Sequence, residues 1–405
     1  MKGYIERITG TIPYTNKTVD IPLNGKNLII TGSNGSGKTS LLRSMYLLIC
    51  HYILDKKSSD LEKLNIELRQ YELELLGAER GNFLFLNDRK QQIKDTKILI
   101  ESIQNKLQAN IPQAEQLFEK IKNNKGAMLY FEDRRLTEIT EAKTPLGLHE
   151  EISGYMSFNH DTKVGKKLEQ HLLNLKTRRS LAITEDKDHE LAEKIGKWMT
   201  EFENNLKYLF EDNSVQLHFN SNNNKFSISQ NNKPPFTFQT LSSGYSAIFD
   251  IYADILMRAE YYNISPHALE GVVFIDEIDS HLHISLQRLI LPFFIEAFPN
   301  IQFIIATHSP FVLTSTQDTL IFDLAKDEPY QISQLKSQSE ILSDFLGVPT
   351  AMPVWAEKSL SEILNKYLSK EPDAISLAAL KEELINAGLE AYFPDSAAKI
   401  LESKQ

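Results

Sequence analysis

Four short apolar runs punctuate the chain: Asn27-Leu28-Ile29-Ile30, Met128-Leu129-Tyr130-Phe131, Gly271-Val272-Val273-Phe274-Ile275 and Phe303-Ile304-Ile305-Ala306. Each is bounded by glycine or polar residues, and the pattern predicts a strand at each. Between the first two runs the period changes. Leu61, Leu64, Leu68, Tyr71 and Leu75 recur in steps of three and four, a heptad seam, and Ile93, Ile100, Ile103 and Leu107 form a weaker second one. Gly77-Ala78 and Gly81-Asn82 break helices between them. This predicts an antiparallel coiled-coil hairpin with its tip near residues 77–88, each arm roughly 20–25 residues and about 30–38 Å long. The alternative is two amphipathic helices lying flat on the rest of the protein. Phe83-Leu84-Phe85-Leu86 at the tip would pack on the arm's own helices or contact a partner.

From about Glu150 to Glu211 the pattern is helical and charged, with Leu172, Leu173, Leu175, Ile195, Trp198, Phe202 and Leu206 as core. Val215–Phe219 and Lys225–Ser229, joined by an asparagine-rich turn, predict a β-hairpin. The last eighty or so residues read as amphipathic helices. Ile363, Leu364, Tyr367 and Leu368 mark one, and Leu377, Leu380, Leu384 and Ile385 another, after Met352-Pro353-Val354-Trp355.

Composition adds bounds. The 405 residues suffice for two or three domains, and 41% hydrophobic with 24% charged content is ordinary for a soluble globular protein. No apolar stretch reaches the length of a membrane span. The start, Met1–Arg7, lacks the apolar core of a secretory signal, and Cys50 is the only cysteine, so a cytoplasmic location without internal disulfides is expected. The net charge of −10 argues against nucleic acid binding over the whole surface, though not against a local basic patch.

The chemistry is concentrated at the strand ends. Gly32-Ser33-Asn34-Gly35-Ser36-Gly37-Lys38-Thr39 follows the first predicted strand and precedes a predicted helix beginning Ser40-Leu41-Leu42. That is the context of a phosphate-binding loop. The glycines let N–H groups from Asn34 to Ser40 turn toward α- and β-phosphates, with the helix N-terminus behind them. Lys38 would reach the β/γ-phosphates and Thr39 would ligate Mg²⁺. The strand 271–275 ends in Asp276-Glu277, where the first acid would hold Mg²⁺ and the second polarise the attacking water as general base. In such a fold this strand is expected beside the loop strand.

Leu241-Ser242-Ser243-Gly244-Tyr245, before a predicted helix, resembles the signature motif L-S-G-G-Q of ABC-type ATPases, with Ser243 and Tyr245 departing from it. Phe303–Ala306 followed by Thr307-His308-Ser309-Pro310 resembles the switch strand of that superfamily, with His308 as the γ-phosphate sensor. The order of loop, signature, Asp-Glu strand and Thr-His strand makes the set specific, over about residues 1–50 and 130–320. The resemblance is to SMC/Rad50/RecF-like heads, and within them to ATPase subunits of bacterial anti-phage systems, Septu-type or retron-associated. It implies an α/β P-loop ABC-type head with an inserted antiparallel coiled-coil hairpin and a helical C-terminal region. It implies ATP and Mg²⁺ as ligands, slow hydrolysis, and two heads packed head to tail. Ser242, Ser243 and Gly244 of one head would then face the γ-phosphate held by Lys38 of the other, with Asp279 of the D-loop crossing the same interface. His281-Leu282-His283 resembles the H-L-H-P stretch of this branch, with Ile284 in place of proline, and is read as loop and interface rather than metal ligands.

The segments divide as 1–54, loop part of the head; 55–126, hairpin; 127–149, return strand; 150–240, helical lobe with β-hairpin; 241–325, signature, Asp-Glu and switch part; and 326–405, a docking region. An arginine of Glu132-Asp133-Arg134-Arg135 is either a nucleotide or interface residue or plain surface. Lys163, Lys166, Lys167, Lys176, Arg178 and Arg179 form either a patch for nucleic acid phosphates or a solvated helix face. No Cys-x-x-Cys apex lies at the hairpin tip, and no Toprim or His-Asn-His nuclease set follows Ser309. The expected partners are a second copy of the chain and a separate effector, a nuclease or toxin. The rivals are a DNA-repair or chromosome-maintenance ATPase that clamps DNA, and, least favoured, a transporter motor.

Overall fold

The computed structural model describes residues 3–54, 61–77, 83–135, 139–146, 163–326, 328–330, 354–368 and 377–389. These form two units, Met1–Lys336 and Ser337–Gln405. The first is built on a six-stranded sheet. Its strands are β3 (Asn27–Thr31), β5 (Gly126–Phe131), β9 (Glu270–Ile275), β10 (Ile301–Ala306), β11 (Thr319–Asp323) and β12 (Glu328–Tyr330), in the order β12-β11-β3-β10-β9-β5. Five run parallel, and β12 closes one edge antiparallel to β11. β10 and β11 are buried along their whole length, which is why Phe303–Ala306 and Leu320–Phe322 are apolar at consecutive positions rather than alternating ones.

The strand order corrects one expectation. The Asp-Glu strand β9 does not lie beside the loop strand β3, because β10 is paired between them. Helix α8 (Ile284–Ala297) links β9 to β10 as a short crossover, which lays consecutive parallel strands side by side. The apolar pattern of each strand is indifferent to its neighbour, so spacing alone does not decide this order.

A second sheet, β2-β1-β4, joins β1 (Arg7–Thr11) antiparallel to β2 (Thr18–Pro22) and β4 (Gln108–Asn110). Residues 105–126 were expected within the hairpin. They instead form β4 and α4 (Ala114–Lys122), and Leu107, placed in the second seam, lies beyond the end of its helix.

The helices of the hairpin region are α2 (Leu61–Gly77, 17 residues) and α3 (Phe83–Gln104, 22 residues). By helical rise they span about 26 and 33 Å, so α2 is shorter than the seam suggested. Glu74 pairs with Arg89 at 2.9 Å and Glu72 with Lys97 at 2.8 Å, an antiparallel arrangement. Leu61, Leu64, Leu68, Leu99, Ile100 and Ile103 pack into the main core with Tyr46, Leu48 and Ile49 of α1 (Lys38–Ile49). Burying Leu64 alone contributes about 2 kcal/mol, whereas the half-exposed Glu72–Lys97 pair contributes under about 1 kcal/mol, so apolar packing anchors the root. Arg43 of α1 adds a bond to Asp95 of α3 at 2.6 Å and lies over the Tyr130 ring at 4.6 Å. Farther along, Leu73 and Leu76 are exposed. The root thus packs on the main core. Residues 78–82 and the side chains of Phe83, Leu84 and Phe85 lie outside the described residues, as do residues 147–162 of the lobe.

The lobe contains α5 (Leu168–Thr184), α6 (His189–Leu209) and α7 (Ser243–Tyr261), with Leu172, Leu173, Leu175, Ile195, Phe202 and Leu206 buried. Asp188 caps α6, accepting the Leu191 N–H at 3.0 Å. The expected β-hairpin is β6 (Gln216–Asn220) with β7 (Lys225–Gln230), extended by a third strand, β8 (Lys233–Phe236). The second unit pairs α9 (Val354–Leu368) with α10 (Leu377–Asn386) around its own small core, including Ile363, Leu364, Tyr367, Leu380 and Leu384. Leu377 and Ile385, expected on the apolar face, are exposed, and Met352 and Pro353 lie outside the described residues.

Candidate functional site

The parallel strands β3, β9, β10 and β11 all deliver polar residues at their C-terminal ends, where open α/β sheets hold ligands. From β3 the chain turns through residues 32–37 into α1. Gly32, Gly35 and Gly37 have φ of 136°, 75° and 102°, values that glycine adopts without strain and that turn the loop in on itself. Ser33, Asn34 and Gly35 form an exposed tip, Ser36 and Lys38 are buried, and Thr39 is exposed with Ser40 half-buried beside it. Lys38 Nζ donates to the carbonyls of Gly32 and Ser33, both at 3.0 Å. Burial pulls Lys38 below the ordinary ammonium range, and Glu277, Asp276, Asp279 and Asp323 oppose that pull.

Asp276 and Glu277 leave β9 toward this loop. Asp276 is buried, and desolvation pushes its carboxyl up to about 6, partly offset by the Thr39 hydroxyl. Its Oδ1 and the hydroxyls of Ser36 and Thr31 are buried without hydrogen-bond partners among the described residues. Unsatisfied buried oxygens are costly, and a loop lined with them fits a ligand that supplies the missing bonds. Thr39 and Asp276 offer hard oxygen donors, and these residues would hold Mg²⁺, which when bound neutralises charge on phosphate oxygens.

Glu277 is half-buried and has φ of 44°, the left-handed region. The turn is pinned on both sides: Asp276 N–H donates to Phe131 at 2.9 Å, Ile278 N–H to Ala306 at 3.1 Å, and Ser280 N–H to Glu277 at 2.8 Å. Thr307 donates its hydroxyl to Asp279, and Ser309 donates to Gln287 at 2.6 Å. His308 is half-buried. Burial and the Lys38 cation lower its pKa, so the neutral ring is favoured at pH 7, against the pull of Asp279 and Glu277. Lys38, Asp276, Glu277, Asp279 and His308 therefore share one electrostatic neighbourhood.

The signature segment is placed differently. Ser242 and Ser243 open α7, are exposed, and Ser242 makes no side-chain cap bond. Gly244 is buried against the loop after the Asp-Glu strand: a Cβ there would sit 3.0 Å from the His281 carbonyl. Tyr245, which departs from the motif, stacks on Phe210 with ring centroids 4.2 Å apart. His281 is exposed, and His283 caps α8, accepting from the Ser285 N–H. No cluster of metal-ligating side chains occurs among the described residues.

Of the two adjacent arginines, Arg134 is exposed and Arg135 is buried, donating from Nη2 to the Glu277 carbonyl. The basic patch is partly dispersed. Lys163 pairs with buried Asp250 at 3.0 Å, and Arg179 donates to the Ala192 carbonyl at 3.2 Å. Sequence reasoning missed Asp323, a fully buried acid at the end of β11 whose carboxylate accepts the Ala325 N–H at 2.8 Å beside Gly32. Its signal was legible: Thr319–Asp323 is another apolar run ending in an acid.

Part of the chain is similar to known proteins. Residues 150–314, which include the signature, the Asp-Glu strand and the Thr-His strand, match the family model described as "AAA domain, putative AbiEii toxin, Type IV TA system". The chain is 33% identical over 129 residues to the "Retron Ec83 probable ATPase" of Escherichia coli, covering 31% of this chain and 22% of that protein. It is 31% identical over 159 residues to the "Septu protein PtuA" of Bacillus mycoides (strain KBAB4), covering 36% and 21%. The match thus spans about a fifth of the length of each relative. Among solved structures, an Smc head bound to the C-winged helix domain of ScpA aligns at 12% identity over 82% of this chain and all of that one, with a TM-score of 0.37. Over the matched segments the chain resembles retron and Septu ATPases, and its motifs resemble those of ABC-type P-loop heads. No described helix is long and apolar enough to cross a membrane.

Proposed function

We propose that this chain binds and slowly hydrolyses ATP as a head-to-tail dimer, and that it scaffolds or restrains a separate effector in anti-phage defence. One observation carries the ATPase reading: a phosphate loop with buried unsatisfied oxygens faces Asp276, Glu277 and His308 across the ends of adjacent strands. In this reading Lys38 leaves the carbonyls of Gly32 and Ser33 for the β- and γ-phosphates. Glu277 accepts a proton from the attacking water, and neutral His308 hydrogen-bonds the γ-phosphate. The backbone N–H groups of residues 34–40 hold the phosphates without bringing further side chains.

Dimerisation follows from the other half of the site. Ser242 and Ser243 stand exposed at the start of a 19-residue helix, whose N-terminus favours an anion. A second head would bring its nucleotide to them, with Asp279 near the seam. The resemblance to retron and Septu ATPases supports the defence setting. The effector would be a separate nuclease or toxin docking on the hairpin or on the C-terminal helices. The test is to tag the chain in its native operon and identify what co-purifies, with ATP turnover measured on the same preparation. A stoichiometric nuclease or toxin with slow turnover is the expected result. Recovery with DNA alone would replace the effector reading with a DNA-clamping ATPase.

A further inference from the structure

We propose that Arg135 is a positioning residue for the general base, holding the Glu277 main chain. This rests on the ATPase reading above.

Arg135 follows β5 by four residues and is 2% exposed, while its neighbour Arg134 faces solvent. Its Nη2 donates to the Glu277 carbonyl, and its Nε is without a hydrogen-bond partner among the described residues. Asp250 exerts the strongest pull of the nearby carboxylates, ahead of Asp279, Asp276 and Asp133. Asp250 lies about two turns into α7 from Ser243, with its carboxylate fully buried and held by Lys163 at 3.0 Å. The guanidinium therefore meets the β9 turn by a hydrogen bond, with the Asp250 charge favouring its cationic form.

A purely structural arginine would look different. Arg258 on the same helix donates from Nε to Asp254 at 3.0 Å, and Asp254 also accepts the N–H groups of Val164 and Gly165. That pair is saturated by fixed partners. Arg135 instead spends its one assigned hydrogen bond on the carbonyl of a residue in the left-handed region, where a bulky side chain is uncommon. The Ser280 N–H shares that carbonyl, so the turn survives without Arg135, and what is lost is the constraint on where Glu277 points.

The experiment compares Arg135→Lys, Arg135→Gln and Asp250→Asn with the unsubstituted chain. It measures affinity and stoichiometry for a fluorescent ATP analogue and steady-state turnover. The expected outcome is a split: nucleotide affinity within about threefold, stoichiometry unchanged, and kcat lower by at least about tenfold in both Arg135 variants. Lysine keeps the charge without the planar fork, so its failure to rescue assigns the effect to geometry. Asp250→Asn should lower kcat in the same direction, and the double variant Arg135→Lys/Asp250→Asn should lose less than the product of the singles. If Arg135→Gln does not fold, Arg135→Lys and Asp250→Asn carry the test. Turnover within about twofold of the unsubstituted chain in the Arg135→Lys variant overturns the inference, as does a fall in kcat that only tracks lost binding sites. No turnover by the unsubstituted chain overturns the ATPase reading and the inference together.

Discussion

The phosphate-loop edge and the start of α7 belong to the same head but are finished differently. At the loop edge, Asp276, Ser36 and Thr31 are buried with oxygens unsatisfied, Lys38 is folded back on its own loop, and Arg135, Thr307 and Ser280 brace the turn around Glu277. At the start of α7, Ser242 and Ser243 are exposed, and only Gly244 is packed. The first region holds buried oxygens without hydrogen-bond partners among the described residues, beside Glu277 in the left-handed region. The second is relaxed and open, with hydroxyls and helix N–H groups turned outward. In the proposed dimer a second copy would bring these halves together, and the substitutions below test whether the halves differ as that reading predicts.

The largest effect is expected at the loop edge. Glu277→Gln should lower turnover at least about 100-fold while ATP is retained and a dimer accumulates, read by light scattering on the ATP-loaded variant. An ATP-bound variant that stays monomeric would separate the two halves for good. Complementation sharpens the same point. Lys38→Ala should lose ATP affinity by at least about tenfold, and Ser243→Arg should bind ATP yet not turn it over. Mixed in equal amounts, these inactive variants should recover about a quarter of normal turnover, because one composite site in half of the dimers is intact. A mixture as inactive as its components would exclude sites shared between heads.

Smaller effects distinguish strain from relaxation. The Asp276 carboxyl is pushed up to about 6 by burial, above its unfolded value, so its contribution to stability is fully present at pH below about 4 and is lost as pH rises through about 6. Asp276→Asn should therefore stabilise the nucleotide-free chain by roughly 1–3 kcal/mol at pH 7 and by much less at pH 4, measured by denaturant unfolding at the two pH values. A loss of stability at pH 7 would show that the ionised acid is well satisfied. The smallest change is expected at the open half. Removing a serine N-cap ordinarily costs about 1 kcal/mol, but Ser242 makes no cap bond. Ser242→Ala should change unfolding free energy by under about 0.5 kcal/mol. A full capping loss would mean that its hydroxyl serves the helix and is not free for a partner.

The hairpin shows where sequence pattern stops. Its seam marked Leu61, Leu64 and Leu68 as apolar, and a heptad states only that a face must be covered. The cover at the root is α1 and the head core as well as α3. The strand order beside the loop escaped the pattern for the same reason, since a buried parallel strand is apolar on both faces whoever its neighbours are.

The sequence alone marked the loop 32–39, the acids 276 and 277 and the Thr307-His308 pair, local patterns that can be read without a fold. It also marked Leu61, Leu64 and Leu68, which pack on the main core, and Ile363, Leu364, Tyr367, Leu380 and Leu384, which form the core of the second unit. Only the tertiary structure chose Arg135 over Arg134, brought Asp323 and Asp250 into play, took Lys163 and Arg179 out of the basic patch, and left Ser242 and Ser243 exposed. Those outcomes depend on burial and on where the fold places each partner, 142 residues away for Arg135 and Glu277 and 87 for Lys163 and Asp250, and no local pattern encodes which distant carbonyl a buried cation will meet.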